Sequence, residues 1–130
     1  MSGRAVVRAR TTATVAVFGL RIAYGVALVA APERLARRWL GPAAATPPTQ
    51  VPLRALGVRE IILHVGALEA ALNDRPVRSW LAASAAGDLS DITATLVARR
   101  GLPGGAPAAT AIVAGASAAL SAGLAAVSPR

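Results

Sequence analysis

The chain of 130 residues contains no cysteine and no lysine, and only 3% of its residues are aromatic. The lack of cysteine excludes a disulfide framework, a thiolate metal site and a cysteine nucleophile. All 14 basic residues are arginine, and the net charge is +8. These arginines occur in short clusters between apolar stretches, and few aromatic rings are present to stack on bases. We therefore expect no nucleic-acid partner.

Four apolar segments make up most of the chain. Hydrophobic residues account for 55% of the sequence and charged residues for 15%, which excludes a disordered protein. Each segment has about 20 residues, the length of a helix that crosses a hydrocarbon core about 30 Å thick. The sequence therefore predicts an all-α fold, a four-transmembrane-helix antiparallel bundle that forms a single integral membrane domain over residues 1–130. The predicted spans are 12–31, 53–72, 79–98 and 108–127.

The connections between the segments favour that topology. A polar turn at 73–76 joins the second and third segments, and a glycine- and proline-rich stretch at 101–107 precedes the fourth. Residues 32–40 begin with a proline and place Leu35 and Trp39 opposite a row of arginines. This pattern predicts a short interfacial helix between helices 1 and 2. Because Arg21 interrupts the first segment, we expect a retained span rather than a cleaved signal peptide, in a bacterial inner (cell) membrane.

A soluble, alanine-packed helical bundle is the alternative fold. The second segment carries several charged residues, and an arginine or acid near a helix centre costs about 2.5 to 3.5 kcal/mol on insertion into a membrane. Against a soluble bundle, the first and fourth segments lack the polar outer face that a soluble helix shows at a 3.6-residue period. The membrane interpretation is therefore favoured, with the lipid bilayer as a partner.

The charged residues of the middle segments are expected at one depth. Positions equally distant from the polar turn lie at the same level of an antiparallel pair, which brings Arg59 to the level of Asp91. Asp88 then lies between Glu60 and His64 in depth.

The first segment brings Arg21 and Tyr24 to the same level, and Ser84 and Thr95 extend the face of the two aspartates by one helical turn each. In hydrocarbon such groups face the bundle interior, and the carboxylates pair with arginine or carry protons. The name charged layer is used below for Arg21, Arg59, Glu60, His64, Asp88 and Asp91.

The charged layer favours a membrane-embedded acid-base enzyme, an isomerase, cyclase or hydrolase that acts on a lipophilic small molecule without a cofactor. In this hypothesis Asp88 and Asp91 are the general acid and base, His64 and Glu60 move and orient the proton, and Arg59 stabilises negative charge. Contacts to the substrate are assigned to Arg21, Tyr24, Ser84 and Thr95.

Two other functions fit the same residues. One is a proton-coupled small multidrug-type transporter, acting as a homodimer, in which the carboxylates exchange protons with a cargo. The other is a structural or assembly subunit of a membrane complex, in which the charged layer only pairs the helices. A metal site is not predicted, because a single histidine beside two arginines disfavours a divalent cation.

Small residues four apart on the fourth segment predict close helix contact through Ala111, Gly115, Ala119 and Gly123. A resemblance is carried by four other elements: Arg21-Ile-Ala-Tyr-Gly25, the Ala-Pro pair at 31–32, Gly57-Val-Arg-Glu60 and Gly87-Asp-Leu-Ser-Asp91. In these elements, over about residues 17–98, the chain resembles a group of small four-pass integral membrane proteins of unknown function from high-GC bacteria. The resemblance implies a fold and a compartment and no activity.

Overall fold

The computed structural model describes residues 3–128, and no strand occurs among them, so the all-α prediction is confirmed. Short 3₁₀ turns at Gly41–Ala45 and Arg99–Gly101 follow the second and fourth helices. The five α-helices are α1 (Gly3–Ala30), α2 (Pro32–Leu40), α3 (Pro47–Leu72), α4 (Arg78–Ala98) and α5 (Ala106–Val127).

Two helices begin well before the apolar segments that predicted them. α1 extends back to Gly3 because arginine and alanine are good helix formers and continue the helix beyond its apolar part. α3 begins at Pro47, since proline is tolerated in the first turn of a helix, where its missing N–H has no partner to lose. The ends of the helices agree closely with the predicted segments.

The short helix α2 has the bounds expected from the sequence. Pro32 occupies its first turn, and the helix ends before Gly41, whose φ of 62° is a backbone conformation that glycine adopts without strain. Its inner face is anchored by Ala36, which is buried in a cluster with Leu28 of α1 and Leu53 of α3. α2 is therefore fixed across one end of the helices.

The long helices associate as two pairs. α1 packs along α3 and α4 packs along α5, with far fewer contacts between the pairs. α1 and α3 run antiparallel: Phe18 of α1 contacts His64 of α3, whereas Gly25, later in α1, meets Gly57, which is earlier in α3. A core cluster of Phe18, Ala67, Leu81 and Ala125 contains one residue from each long helix. This cluster joins the two pairs on one side of the charged layer.

The expected contact through the small residues of α5 is wrong. A Cβ atom added to Gly115 or Gly123 would have no neighbouring heavy atom within 4 Å, and Ala111 and Ala119 are exposed. The buried face of α5 consists of Ala118, Ser121 and Ala125 together with Ala106. Because alanine occurs on every side of this helix, the spacing of small residues does not identify the face that packs.

Two stretches are long and apolar enough to cross a membrane, Ala5–Ala30 in α1 and Ala106–Val127 in α5. Only 22% of the most apolar 18-residue window of α1 is buried, and 17% of that of α5. A core helix of a soluble protein has most of its length buried, so the outer faces of α1 and α5 are unusually apolar for their exposure.

Candidate functional site

Arg21 of α1 lies at the centre of the charged layer and contacts the three other long helices. Its Nη1 lies 2.8 Å from Asp88 Oδ1 of α4, and its Nε lies 3.0 Å from Glu60 Oε2 of α3, the latter an ion pair without hydrogen-bond geometry. Nη1 also donates a hydrogen bond of 3.2 Å to Ser117 Oγ of α5. The side chains of Glu60 and Asp88 are 2% exposed, so two buried carboxylates share the single positive charge of Arg21.

The position of Arg21 depends on a close approach between α1 and α3. A Cβ atom on Gly25 would lie 2.7 Å from the backbone oxygen of Gly57, and a Cβ on Gly57 would lie 2.7 Å from that of Gly25. Only glycine allows the two backbones this separation. Arg21 and Glu60 each lie about one turn from these glycines, which brings the guanidinium within ion-pair distance of the carboxylate.

A second arginine lies at the edge of the charged layer. Arg59 Nη2 donates a hydrogen bond of 3.2 Å to Glu60 Oε1 and lies 3.8 Å from Asp91 Oδ2. The Arg59 side chain is 46% exposed and that of Asp91 is 32% exposed. Three carboxylates thus share two guanidinium groups, and Asp91 has the longest and most exposed ion pair of the layer.

His64 is fully buried and both of its ring nitrogens contact protein groups. Nδ1 lies 2.8 Å from the backbone oxygen of Glu60, which can only accept, so Nδ1 carries the hydrogen. In the neutral ring, Nε2 then accepts the hydroxyl hydrogen of Ser84 at 3.0 Å. His64 and Ser84 therefore fix α3 against α4 behind the ion pairs.

Thr95 connects α2 to α4 just beyond Asp91. The indole N–H of Trp39 donates to Thr95 Oγ1 at 3.1 Å, and the Thr95 hydroxyl donates to the backbone oxygen of Asp91 at 2.8 Å. Both bonding directions of this buried hydroxyl are thus used within the protein. Sequence reasoning overlooked Trp39 as a partner, although its place on the apolar side of an amphipathic helix was a signal that it packs inward.

A cavity of about 650 Å³ adjoins the charged layer between α1, α2, α4 and α5, with Leu56 of α3 also in its lining. Arg21, Tyr24, Asp88 and Asp91 line it, and these four residues are called the cavity floor below. Most of the other lining residues are apolar, among them Leu20, Leu28, Trp39, Val113 and Leu120. A cavity of this size with apolar walls and a few polar groups is typical of small-molecule sites.

The nine residues predicted for the site divide into two groups. The cavity floor holds four of them. The remaining five lie behind it and do not line the cavity: Arg59, Glu60, His64, Ser84 and Thr95. In particular, the structure brings Ser84 and Thr95 to protein partners and not to the cavity, because their hydroxyls face neighbouring helices. Ser117, which both lines the cavity and contacts Arg21, was missed, since nothing distinguishes it within the uncharged α5.

Asp88 Oδ2 is a buried acceptor of the site that has neither a hydrogen bond nor an ion pair with the described residues. Asp88 is 1% exposed, and its Oδ2 accepts no hydrogen bond from the residues that the structure describes. Over residues 3–128 no three His, Asp or Glu side chains form a group that could hold a metal ion.

Comparison of the chain with protein-family models, with curated proteins and with solved structures finds no match.

Proposed function

We propose that the chain is an integral membrane protein of a bacterial cell membrane, in which α1, α3, α4 and α5 cross the bilayer as an antiparallel bundle and α2 lies at its surface. The apolar outer faces of α1 and α5 support this arrangement, with Leu20 73% and Val113 71% exposed. Glu60 of α3 and Asp88 of α4 are buried between the helices, as hydrocarbon requires of charged groups. The resemblance to small four-pass membrane proteins points the same way.

The cavity then takes a lipophilic small molecule from the membrane. Leu20 of α1 and Val113 and Leu120 of α5 line the cavity and are also more than half exposed on the outside of the helices. The cavity is therefore open between α1 and α5, the two helices with the most apolar outer faces. In a bilayer such an opening leads to lipid, and an apolar molecule can enter without crossing water.

We propose that the protein is a cofactor-independent acid-base enzyme, an isomerase, cyclase or hydrolase, acting on that molecule. One observation carries the proposal: Asp88 and Asp91 line the same apolar cavity as the hydroxyl-bearing ring of Tyr24. An isomerisation needs one group that accepts a proton and another that donates one. Asp91, with its long ion pair to Arg59, is the acceptor, and Tyr24 is the donor.

The rest of the charged layer positions these groups. Arg21 fixes the position of the Asp88 side chain through the 2.8 Å ion pair, and Glu60 shares that arginine. When Asp91 takes a proton from the substrate and Tyr24 gives one to it, Asp91 is left protonated and Tyr24 is left as a phenolate. Transfer between Asp91 and Tyr24 restores the starting form, so no proton is gained or lost overall. His64 acts through Glu60 and Ser84 as a positioning residue.

The test is mass spectrometry of the protein released gently from membranes in detergent. Wild type is compared with an Asp88→Asn, Asp91→Asn double variant, each held equally far below its own unfolding midpoint. Asp74→Asn is the control, because it makes the same chemical change at an exposed turn residue with a φ of 53°, which asparagine adopts readily. We expect a lipophilic molecule retained by wild type and by Asp74→Asn and lost from the double variant. An empty wild type beside a destabilised double variant would instead favour the structural role.

Proton-coupled transport is the second candidate function. Its supporting observation is that α1 with α3 and α4 with α5 form two pairs, joined at mid-height by polar contacts of Arg21, Arg59 and His64. Movement of one pair against the other would then change access to the cavity when a carboxylate gains a proton. Proton flux into vesicles that contain the protein, driven by the retained molecule and lost in Asp91→Asn, would support transport over catalysis.

A further inference from the structure

The charge of the site indicates which kind of ligand head it accepts. Arg21 and Arg59 carry two positive charges, whereas Glu60, Asp88 and Asp91 carry three negative charges when ionised. Arg21 Nε lies next to Glu60, and its Nη1 lies next to Asp88 and Ser117. Arg59 does not line the cavity. The one guanidinium of the charged layer that lines the cavity is therefore already shared by two carboxylates, and the layer as a whole has one more acidic than basic group.

Asp88 Oδ2 lacks a hydrogen-bond donor within the described part of the chain. Asp88 lines the cavity, is 1% exposed, and its Oδ2 receives no hydrogen bond from the described part of the chain. A buried carboxylate oxygen left without a donor costs free energy, and a charged N–H donor removes more of that cost than a neutral one. A ketone or ester oxygen cannot donate and leaves the cost in place.

Two aromatic side chains also line the cavity. Tyr24 and Trp39 both line the cavity, and the ring of Trp39 is oriented by the bond from its indole N–H to Thr95. Aromatic faces attract cations, most strongly where water is excluded. Carboxylates together with aromatic rings in an apolar cavity are the features that bind organic ammonium groups.

We infer that the cavity binds a lipophilic amine in its ammonium form, with the N–H groups directed to Asp88 and Asp91 and the apolar part against the walls shared by α1 and α5. This inference rests on the proposed membrane location and ligand cavity and adds the class of the ligand. The ammonium head supplies the positive charge that the charged layer lacks. Bound in this way, the molecule lies beside Asp91 and Tyr24, the groups proposed to exchange protons with it.

Arg38 is the feature that would favour the opposite charge. It is an exposed residue of α2 that lines the cavity, and apart from Arg21 no other cation among the described residues does so. An amphiphile with an anionic head would bind there, at the α2 wall, and not at the cavity floor. The experiment therefore includes an anionic probe and an Arg38→Gln variant.

Fluorescence of Trp39 reports binding directly in the full chain. Trp80 does not line the cavity, so Trp80→Phe leaves Trp39 as the only tryptophan. The probes are dodecylamine, dodecanol and dodecanoate, which share one apolar chain and differ in the charge of the head, added to protein in neutral detergent at pH 7. The effect of partition of the probes into the micelles is measured with the reverse variant, Trp39→Phe, in which only Trp80 emits.

We expect saturable quenching of Trp39 by dodecylamine, with a Kd at least tenfold lower than for dodecanol or dodecanoate. Asp91→Asn and Asp88→Asn should each raise that Kd at least fivefold, and Asp74→Asn should leave it unchanged. Asp91→Asn keeps the test valid if Asp88→Asn does not fold, because Asp91 is the more exposed of the two.

Three results would overturn the amine inference. Equal affinity for dodecanol, still dependent on Asp88 or Asp91, would mean a neutral ligand and would leave the proposed cavity and function intact. Tighter binding of dodecanoate, lost in Arg38→Gln, would mean an anionic ligand at α2. No saturable binding of dodecylamine would also end the inference, and the mass spectrometry described above would then decide separately whether the cavity holds any ligand.

Discussion

Gly25 and Gly57 face each other across the contact between α1 and α3, so closely that a Cβ atom on either would lie 2.7 Å from the backbone oxygen of the other. The separation of these two backbones sets the distance at which Arg21 meets Glu60 one turn away. A pair of residues without side chains therefore determines the geometry of the most charged part of the molecule.

Alanine at either of these glycines should separate α1 from α3. The added methyl group meets backbone, which cannot rotate away as a side chain can, and overpacking of this kind costs about 1 to 3 kcal/mol. Thermal unfolding in detergent should show a lower midpoint for Gly25→Ala and for Gly57→Ala. Gly19→Ala is the control, since no atom lies within 4 Å of its Cβ position and alanine is the better helix former by about 1 kcal/mol. Equal midpoints for Gly25→Ala and Gly19→Ala would argue against the close packing.

Loss of Arg21 should be the most destabilising change in the charged layer. Arg21→Gln leaves Glu60 and Asp88, both 2% exposed, without their shared cation, and breaking a buried ion pair in this way costs about 3 to 5 kcal/mol. Adding Asp88→Asn to Arg21→Gln removes one uncompensated charge and should restore part of the loss. Denaturant unfolding of the single and double variants in detergent measures both effects.

Arg37→Gln provides the comparison for that experiment. Arg37 pairs with Glu33 on the surface of α2, where the side chains are 69% and 40% exposed. Screening by water limits such a pair to less than about 0.5 kcal/mol. A loss for Arg21→Gln no larger than that for Arg37→Gln, or no recovery with Asp88→Asn, would show that the buried pairs do not hold the helices together.

Much of this arrangement follows from features that a sequence reveals. Pro32 marks the start of α2, and the polar residues at 73–76 mark the turn between α3 and α4. Counting outward from that turn brings Arg59 to the level of Asp91, and the structure has these two side chains 3.8 Å apart. Depth along a helix can be predicted in this way because every residue adds the same rise of about 1.5 Å.

What could not be predicted is set by the rotation and spacing of the helices. Ser84 and Thr95 share the polar face of α4 with the aspartates, but only tertiary packing decides that their hydroxyls meet His64 and Trp39 instead of the cavity. The cavity itself arises because α1 and α5 are held apart, and no residue pattern encodes a gap. On α5 the alanine-rich composition conceals which face is buried.

The link from Trp39 through Thr95 to Asp91 should control the position of α2. Thr95→Val keeps the shape of the side chain and removes both hydrogen bonds, at a cost of about 1 to 3 kcal/mol for the unpaired indole N–H. In a Trp80→Phe background, we expect the emission of Trp39 to shift to longer wavelength and its quenching by acrylamide to increase. Thr95→Ser retains the hydroxyl and should behave as wild type. Identical spectra for the valine and serine variants would contradict the role of this hydroxyl.

The four-span topology can be tested with single cysteines, because the chain contains none of its own. Ala45 and Gly104 lie in exposed connections at one end of the helices, and Ser79 is exposed at the other. With a membrane-impermeant maleimide on intact cells, Ala45→Cys and Gly104→Cys should be labelled to the same extent, and Ser79→Cys to the complementary extent. Ile112→Cys, on the outer face of α5 and 69% exposed, should react only after the membrane is dissolved, since the proposed topology places this residue against lipid. A soluble bundle would instead leave all four cysteines equally reactive in a cell lysate without detergent.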